Sequence, residues 1–262
     1  MIHFIVATSS EARPLIDFYS LKKKTISNFV IYNNDIISLT ISGIGKTNAA
    51  MSIAHTYYEF NQQKNNIWIN FGIAGHKDAK IGDIFLIDKV IDNETKEKKF
   101  PVILDDFKIK QKACITYGKP NFKYTNNVSD MEASGFFFAC EKYSTKEFIY
   151  SIKIISDNEK KKLNFFDKEI IRNLIVPKIK EIDMFKKKIF SFWIDYYGEK
   201  KKISEKINGI LSNYNLTFSE TEEFKKWLII YFYNEPRKKT NIINLKENFQ
   251  TNIKSIKKQL GI

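Results

Sequence analysis

Asn66-Ile67-Trp68-Ile69-Asn70-Phe71-Gly72-Ile73-Ala74-Gly75 is the stretch that decides the fold. Its first part is short, rich in β-branched and aromatic residues, and too apolar for a strand with one wet face. It reads as a strand over 66–71 buried on both sides, as in parallel sheets. The glycines predict that the chain turns at 72–75. Working upstream, Met1-Ile2-His3-Phe4-Ile5-Val6-Ala7 is a short apolar run with no basic leader and no small-residue cleavage site. It predicts a first buried strand over 4–8, followed by a helix start at Ser9-Ser10-Glu11, and not a signal peptide. Residues 28–32 and 35–41 predict a hairpin turned by Asn33-Asn34 at positive φ. Ser42-Gly43-Ile44-Gly45 opens a helix over 47–61 that would pack through Ala49, Ala50, Ile53 and Ala54. Downstream, strands are expected at 84–90 and 113–116, a helix at 131–142, and a strand at 148–155 ending in Ser156-Asp157. Alternation of this kind implies an α/β fold of three layers, α/β/α, around a mostly parallel (mixed) twisted sheet. A site would lie along the carboxyl ends of its strands.

Beyond residue 157 the pattern turns helical. Residues 165–185 predict a long amphipathic helix interrupted near Pro177, and 203–211, 221–233 and 241–260 predict three more. The expected division is an α/β domain over 1–187 and a basic, all-helical C-terminal extension over 188–262. The net charge of +13 is uneven: residues 159–262 hold 23 Lys/Arg against 13 Asp/Glu, a net +10, which leaves +3 on residues 1–158. Basic runs at 160–162, 186–188, 200–202 and 237–239, interleaved with Phe190, Phe192, Trp193, Tyr196 and Tyr197, could contact nucleic acid. The preferred reading is a packed helical addition with solvated lysines.

No stretch approaches the ~20 apolar residues a bilayer span needs, so no membrane partner is expected. Cys114 and Cys140 sit among apolar residues and read as free buried thiols of a reducing, cytoplasmic compartment. His3, His55 and His76 are scattered without companion carboxylates, so neither a metal nor a cofactor is expected; His76 reads as a solvated loop residue. Gly45-Lys46-Thr47 is not a phosphate-binding P-loop, because the glycine that motif needs at position 40 is a threonine. A glycine turn before a helix still lets backbone N–H groups approach an anion or a ribose.

Five segments then occur in a telling order. Glu11 stands just past the first strand. Ser42-Gly43-Ile44-Gly45-Lys46-Thr47-Asn48-Ala49-Ala50 follows, then Asn70 to Gly75 with Ile81-Gly82-Asp83-Ile84, then Ser129-Asp130-Met131-Glu132-Ala133, then Lys153-Ile154-Ile155-Ser156-Asp157. Together, over roughly residues 1–185, they resemble the nucleoside phosphorylase and nucleosidase superfamily, and within it the methylthioadenosine/adenosylhomocysteine nucleosidases. The resemblance implies cleavage of the N-glycosidic bond of a purine nucleoside. Asp157 occupies the place of the general acid that protonates the departing base. Glu11 takes that of the group orienting water, and Glu132 that of the residue holding the ribose hydroxyls, with Met131 packed on the sugar. Ser156, Gly75, Ile73 and Lys153 fall at further substrate-binding positions. An aromatic before Met131 is expected to stack on the base: Phe122 is the choice, Tyr117 and Tyr124 the alternates. A homodimer is also implied.

Departures from the family pattern bear on the reaction. Asn70 stands where phosphorylases bring an arginine, and Ile73 where a serine is usual. Lys153 replaces an arginine, keeping the charge but losing the bidentate fork. These changes favour hydrolysis over phosphorolysis, in which inorganic phosphate would be a co-substrate. They also leave open a nucleoside-binding or scaffold module with weak turnover. Read singly, Asp157 is equally a helix cap, Glu132 a dipole-favoured carboxylate, and Glu11 a surface residue of a first turn; only the joint pattern makes a site.

Overall fold

The computed structural model describes residues 1–24, 28–60, 66–104, 107–162, 167–234 and 243–261. The elements, in chain order, are β1 (Ile2–Val6), α1 (Ser9–Phe18), β2 (Lys22–Lys23), β3 (Val30–Asn33), β4 (Ile37–Ile41), α2 (Lys46–Glu59), β5 (Ile67–Gly75), β6 (Ile84–Asp92), β7 (Lys98–Lys99) and β8 (Lys110–Thr116). There follow β9 (Val128–Asp130), α3 (Ala133–Cys140), β10 (Ile149–Asp157), α4 (Lys168–Ile175), α5 (Ile179–Leu211), α6 (Phe218–Asn234) and α7 (Phe249–Leu260). The chain forms two compact units, Met1–Ser191 and Phe192–Ile262.

In the first unit, β5 is the hub. It runs parallel to β1 and to β10, and its last residue pairs antiparallel with Ser129 of β9. Pairings β10–β6, β6–β8, β8–β9, β9–β5 and β5–β10 close a ring of strands, from which β1, β4, β3 and β2 extend in that order. The sheet is mixed: β1–β4, β1–β5, β5–β10, β6–β8 and β8–β9 are parallel. The remaining pairings are antiparallel.

The turn expected at 72–75 does not form, and β5 runs on to Gly75. Glycine in a strand marks close approach as often as a turn. A Cβ at Gly72 would lie 2.8 Å from Glu11 Oε1, and one at Gly75 would lie 2.7 Å from Tyr124 Cε1. The hairpin also turns differently. Positive φ outside glycine occurs at Ser20, Lys96 and Lys108. Asn34 instead uses its side chain, Oδ1 accepting from the N–H groups of Ile36 and Ile37 at 3.0 and 2.8 Å, an Asx-type turn.

Helices α2 and α3 pack on the sheet through Ile5, Ala49, Ile53, Tyr57, Trp68, Phe136 and Phe137. Their approach is set by Gly135, where a Cβ would stand 2.1 Å from the backbone oxygen of Lys46. That atom cannot swing aside, so Gly135→Ala is expected to cost about 3 kcal/mol through overpacking. The check is a lowered denaturation midpoint.

The helical region departs from the sequence expectation in its joints. Residues 165 and 166 lie outside the described residues. Asp167 caps α4, a 3₁₀ turn over Val176–Lys178 accommodates Pro177, and α5 then runs unbroken for 33 residues. The separate helix expected at 203–211 is therefore the end of α5. Gly198 is the interior helix breaker there, and one glycine costs only about 1 kcal/mol. Likewise α7 starts at Phe249, capped by Asn248, and not at 241, which lies outside the described residues. The second unit has its own core of Ile207, Phe224, Leu228, Tyr231, Phe232, Ile243, Ile253 and Ile256. Cys114 and Cys140 are buried free thiols. Among the described residues no helix is long and apolar enough to cross a membrane.

Candidate active site

The first carboxylate is fixed by a helix cap. Thr8 precedes α1, and its Oγ1 accepts from the Glu11 N–H at 3.3 Å. Glu11 Oε2 in return accepts from the Thr8 N–H (2.9 Å) and hydroxyl (2.7 Å). This capping box pins a buried side chain, whose other oxygen accepts from the Ile73 N–H at 2.8 Å. Glu11 is thus tied to β5.

On the neighbouring strand, Lys153 is paired in register with Gly72 and its side chain is only 1% exposed. A buried ammonium requires a counter-charge, which Asp130 supplies at 2.8 Å, with Glu132 at 4.0 Å. Burial acts to lower the pKa of this lysine; Asp130 and Glu132 outweigh it and hold the group above the usual lysine range. Asp130 also accepts from the Thr116 hydroxyl (2.7 Å), the Ala133 N–H (2.8 Å) and the Cys114 thiol (3.3 Å). Burial pushes its carboxyl up, but Lys153 and these donors bring it below the ordinary range. Glu132, just ahead of α3, accepts from the Gly45 N–H at 2.9 Å. The glycine turn before α2 therefore meets a carboxylate of the protein itself.

Burial, ahead of the charges of Asp130 and Glu11, pushes the Glu132 carboxyl up to about 7, against the pull of Lys153. Between its ordinary value of 4.5 and about 7, the folded protein holds a proton that the unfolded chain has released. That contribution to stability is present at the acid end and lost as pH rises through the window. Glu132→Gln is expected to remove this slope, so its melting temperature gains on wild type as pH rises from 4.5 to 7. Melts at a series of pH values check it.

Asp157 ends β10 after a bulge at Ser156, a device that re-aims the following side chain. It is buried, and the helix-cap alternative falls away because α4 begins at Lys168 with Asp167 as its cap. The Ser156 hydroxyl donates to Asp157 Oδ1 at 2.5 Å, and the Tyr124 hydroxyl donates to Oδ2. A Cβ on Gly75 would lie 3.2 Å from that second oxygen.

Glu11 on the Ile73 N–H, and beside it the ion-paired group of Lys153, Asp130 and Glu132, thus make up a first network of polar groups around residues 72 and 73 of β5, and Asp157, Ser156 and Tyr124 form another around Gly75. Three steps of strand, about 10 Å, separate Gly72 from Gly75. Among the described residues no hydrogen bond or ion pair joins the two networks. Met131 is half-buried beside Glu132. Phe122 is 50% exposed with Lys162 Nζ 5.7 Å over its ring, and the aromatic that reaches Asp157 is Tyr124. Asn70 faces neither network: it donates to the Ile5 carbonyl (3.3 Å) and accepts from Ser151 (3.1 Å).

Asp130 belongs to the site's electrostatics although the sequence motifs point past it to Glu132. Its signal was Lys153 itself, a lysine in an otherwise apolar strand that demands a buried carboxylate. His76 is not solvated. It is 3% exposed, its Nε2 lies 3.1 Å from the Asn126 carbonyl, and its Nδ1 lies 3.2 and 3.1 Å from the N–H groups of Asp78 and Ala79. Burial lowers its pKa, so the ring is neutral with Nε2 as donor. Lys46 is held by Asp92 at 2.7 Å and by Glu94, beside an open cavity of about 420 Å³ that Ser134 and Phe138 also line. Among the described residues no three His, Cys, Asp or Glu side chains are grouped to hold a metal.

No protein-family model and no curated protein sequence matches the chain. Solved structures do. 5′-Methylthioadenosine/S-adenosyl homocysteine nucleosidase of Campylobacter jejuni is similar at 17% identity and TM-score 0.58, over 71% of this chain and 98% of that one. 5′-Methylthioadenosine nucleosidase of Arabidopsis thaliana is similar at 15% identity and TM-score 0.60, over 73% and 95%. A futalosine hydrolase mutant of Helicobacter pylori is similar at 14% identity and TM-score 0.55, over 71% and 98%. TM-scores above 0.5 over nearly the whole of each solved chain show that this chain has the fold of these nucleosidases and of futalosine hydrolase, the nucleoside phosphorylase and nucleosidase fold.

Proposed function

We propose that the protein hydrolyses the N-glycosidic bond of a purine nucleoside or a 5′-thio derivative of one. Asp157 protonates the departing base, Glu11 orients the attacking water, and Glu132 holds the ribose hydroxyls with Met131 against the sugar. One observation carries this reading: two buried carboxylates, Glu11 from α1 and Asp157 from the end of β10, lie on the last four residues of β5, and a third, Glu132 just ahead of α3, stands 4.0 Å from Lys153, which is paired with Gly72 of the same strand. Cleavage develops positive charge on the sugar, and carboxylates beside it lower that barrier. Solved structures of the same fold include nucleosidases and futalosine hydrolase, which supports N-glycosidic chemistry.

Water is favoured over phosphate. The buried cation, Lys153, is already neutralised by Asp130, the Ile73 N–H is taken by Glu11, and Asn70 is spent on the sheet. The same reading makes the domain three layers, since successive strand residues face opposite sides: Phe4 meets Tyr19 while Ile5 joins the α2–α3 cluster. It also makes the protein a cytoplasmic homodimer that uses no cofactor, with its basic helices a packed extension and not a nucleic-acid site.

Incubation with adenosine, inosine and methylthioadenosine, with and without phosphate, tests the proposal. Base and free sugar released without phosphate support it. Release only with phosphate identifies phosphorolysis, and thermal stabilisation without release identifies a binding module.

A further inference from the structure

Directly paired residues of neighbouring strands carry their side chains on the same face of a sheet. Gly75 is paired with Ser129 of β9 on one side and with Asp157 of β10 on the other. Those two side chains therefore flank the bare face of Gly75, two strand spacings or about 10 Å apart. Two independent observations single this face out. The ring of Tyr124 lies on it, nearer than any Cβ would permit, and its hydroxyl donates to Asp157. The Ser129 hydroxyl is buried and has no hydrogen-bond partner among the described residues, whereas buried hydroxyls are ordinarily satisfied. The face thus has a carboxylate at one end, an unused hydroxyl at the other, and a flat ring between them.

We propose that the face of Gly75 is the seat of the base, that Tyr124 holds the seat until a base displaces it, and that Ser129 is the second polar group that reads the base. This rests on the nucleosidase reading and adds to it the residue opposite Asp157 and the side chain that must leave. A purine is planar, like the ring it replaces. Its arrival exchanges the Tyr124 hydroxyl at Asp157 for an edge of the base. Ser129 then donates to a ring nitrogen or accepts from an amino group, as a hydroxyl can do either. The two side chains suit these parts. Tyr124 belongs to the connection between β8 and β9, which carries no helix or strand, so it can turn out without breaking a ladder. Ser129 is fixed in β9, between β8 and β5.

Calorimetric titration of adenine and hypoxanthine into wild type, Ser129→Ala and Tyr124→Phe, with a melt of each protein, tests this. Ser129→Ala is expected to weaken the better-bound base about three- to tenfold, the worth of one neutral hydrogen bond. Its melting temperature should be unchanged or raised, because the lost hydroxyl had no partner. Tyr124→Phe removes the bond that competes for Asp157 and is expected to tighten binding about threefold. Wild-type affinity in Ser129→Ala, a lowered melting temperature in that variant, or weaker binding by Tyr124→Phe overturns the inference. If Asp157→Asn still weakens base binding in that case, the nucleosidase reading stands without it. If neither base binds to wild type or to either variant, both fall.

Discussion

Asp157→Asn is expected to lower the rate of base release at saturating nucleoside by about 10²–10⁴-fold, the usual worth of a positioned general acid. The change is nearly isosteric. An amide oxygen can keep one of the two donors now on the carboxylate, Ser156 or Tyr124; the other donor is left facing an NH₂ group, at a cost of about 1–3 kcal/mol. The variant should therefore fold, and the loss should fall on kcat more than on KM, because the proton is needed only as the bond breaks. Initial rates by chromatography of the free base, beside a melt of the same sample, separate lost chemistry from lost structure. A structural carboxylate would show the reverse pattern: a lower melting temperature with kcat within a few-fold of wild type.

The second large effect concerns stability. Lys153→Met removes the cation from a pair in which both side chains are sealed from water, leaving Asp130 buried without it. Breaking such a pair from one side typically costs about 3–5 kcal/mol, because the partner's charge stays behind uncompensated. Lys153→Met combined with Asp130→Asn should recover part of the loss, since the amide carries no charge to strand. It can still accept from Thr116 or the Ala133 N–H, which Asp130 serves now. Urea denaturation of the two single variants and the double variant forms a cycle whose coupling energy should be large. A near-additive double variant would show that Lys153 and Asp130 do not depend on one another.

The legible and illegible parts of this molecule divide by the range of the interactions involved. Elements governed by local apolar pattern were readable: β1, β6 and β10 lie where short apolar runs placed them, no end off by more than two residues. The helix starting after Ser42-Gly43-Ile44-Gly45 was readable because glycine turns are local. Gly72 and Gly75 misled, since a glycine that ends a strand and one that admits a neighbouring side chain look alike until the neighbour is known. The neighbours here, Glu11 and Tyr124, lie dozens of residues away in the chain. The closed ring of strands was invisible for the same reason: it depends on β10 pairing with both β5 and β6. Within the candidate site, Glu11, Glu132 and Asp157 are candidates through the resemblance, which says where a residue type stands in order. Which aromatic meets Asp157 could not be named that way, because Phe122 and Tyr124 lie on one short connection and differ only in how that connection bends. Asp130 was open to inference from charge alone, given a lysine inside a buried strand.

Under the proposed function, Glu132 beside Lys153 and Asp157 at the end of β10 serve the two ends of one nucleoside. Titration of a purine base and of its C-nucleoside, whose carbon–carbon glycosidic bond water cannot break, into wild type, Glu132→Gln and Asp157→Asn tests it most directly. One site per chain is expected, with Asp157→Asn weakening base and C-nucleoside alike, and Glu132→Gln weakening only the C-nucleoside, whose sugar it would hold. C-nucleoside binding indifferent to Glu132→Gln, or base binding indifferent to Asp157→Asn, would contradict it.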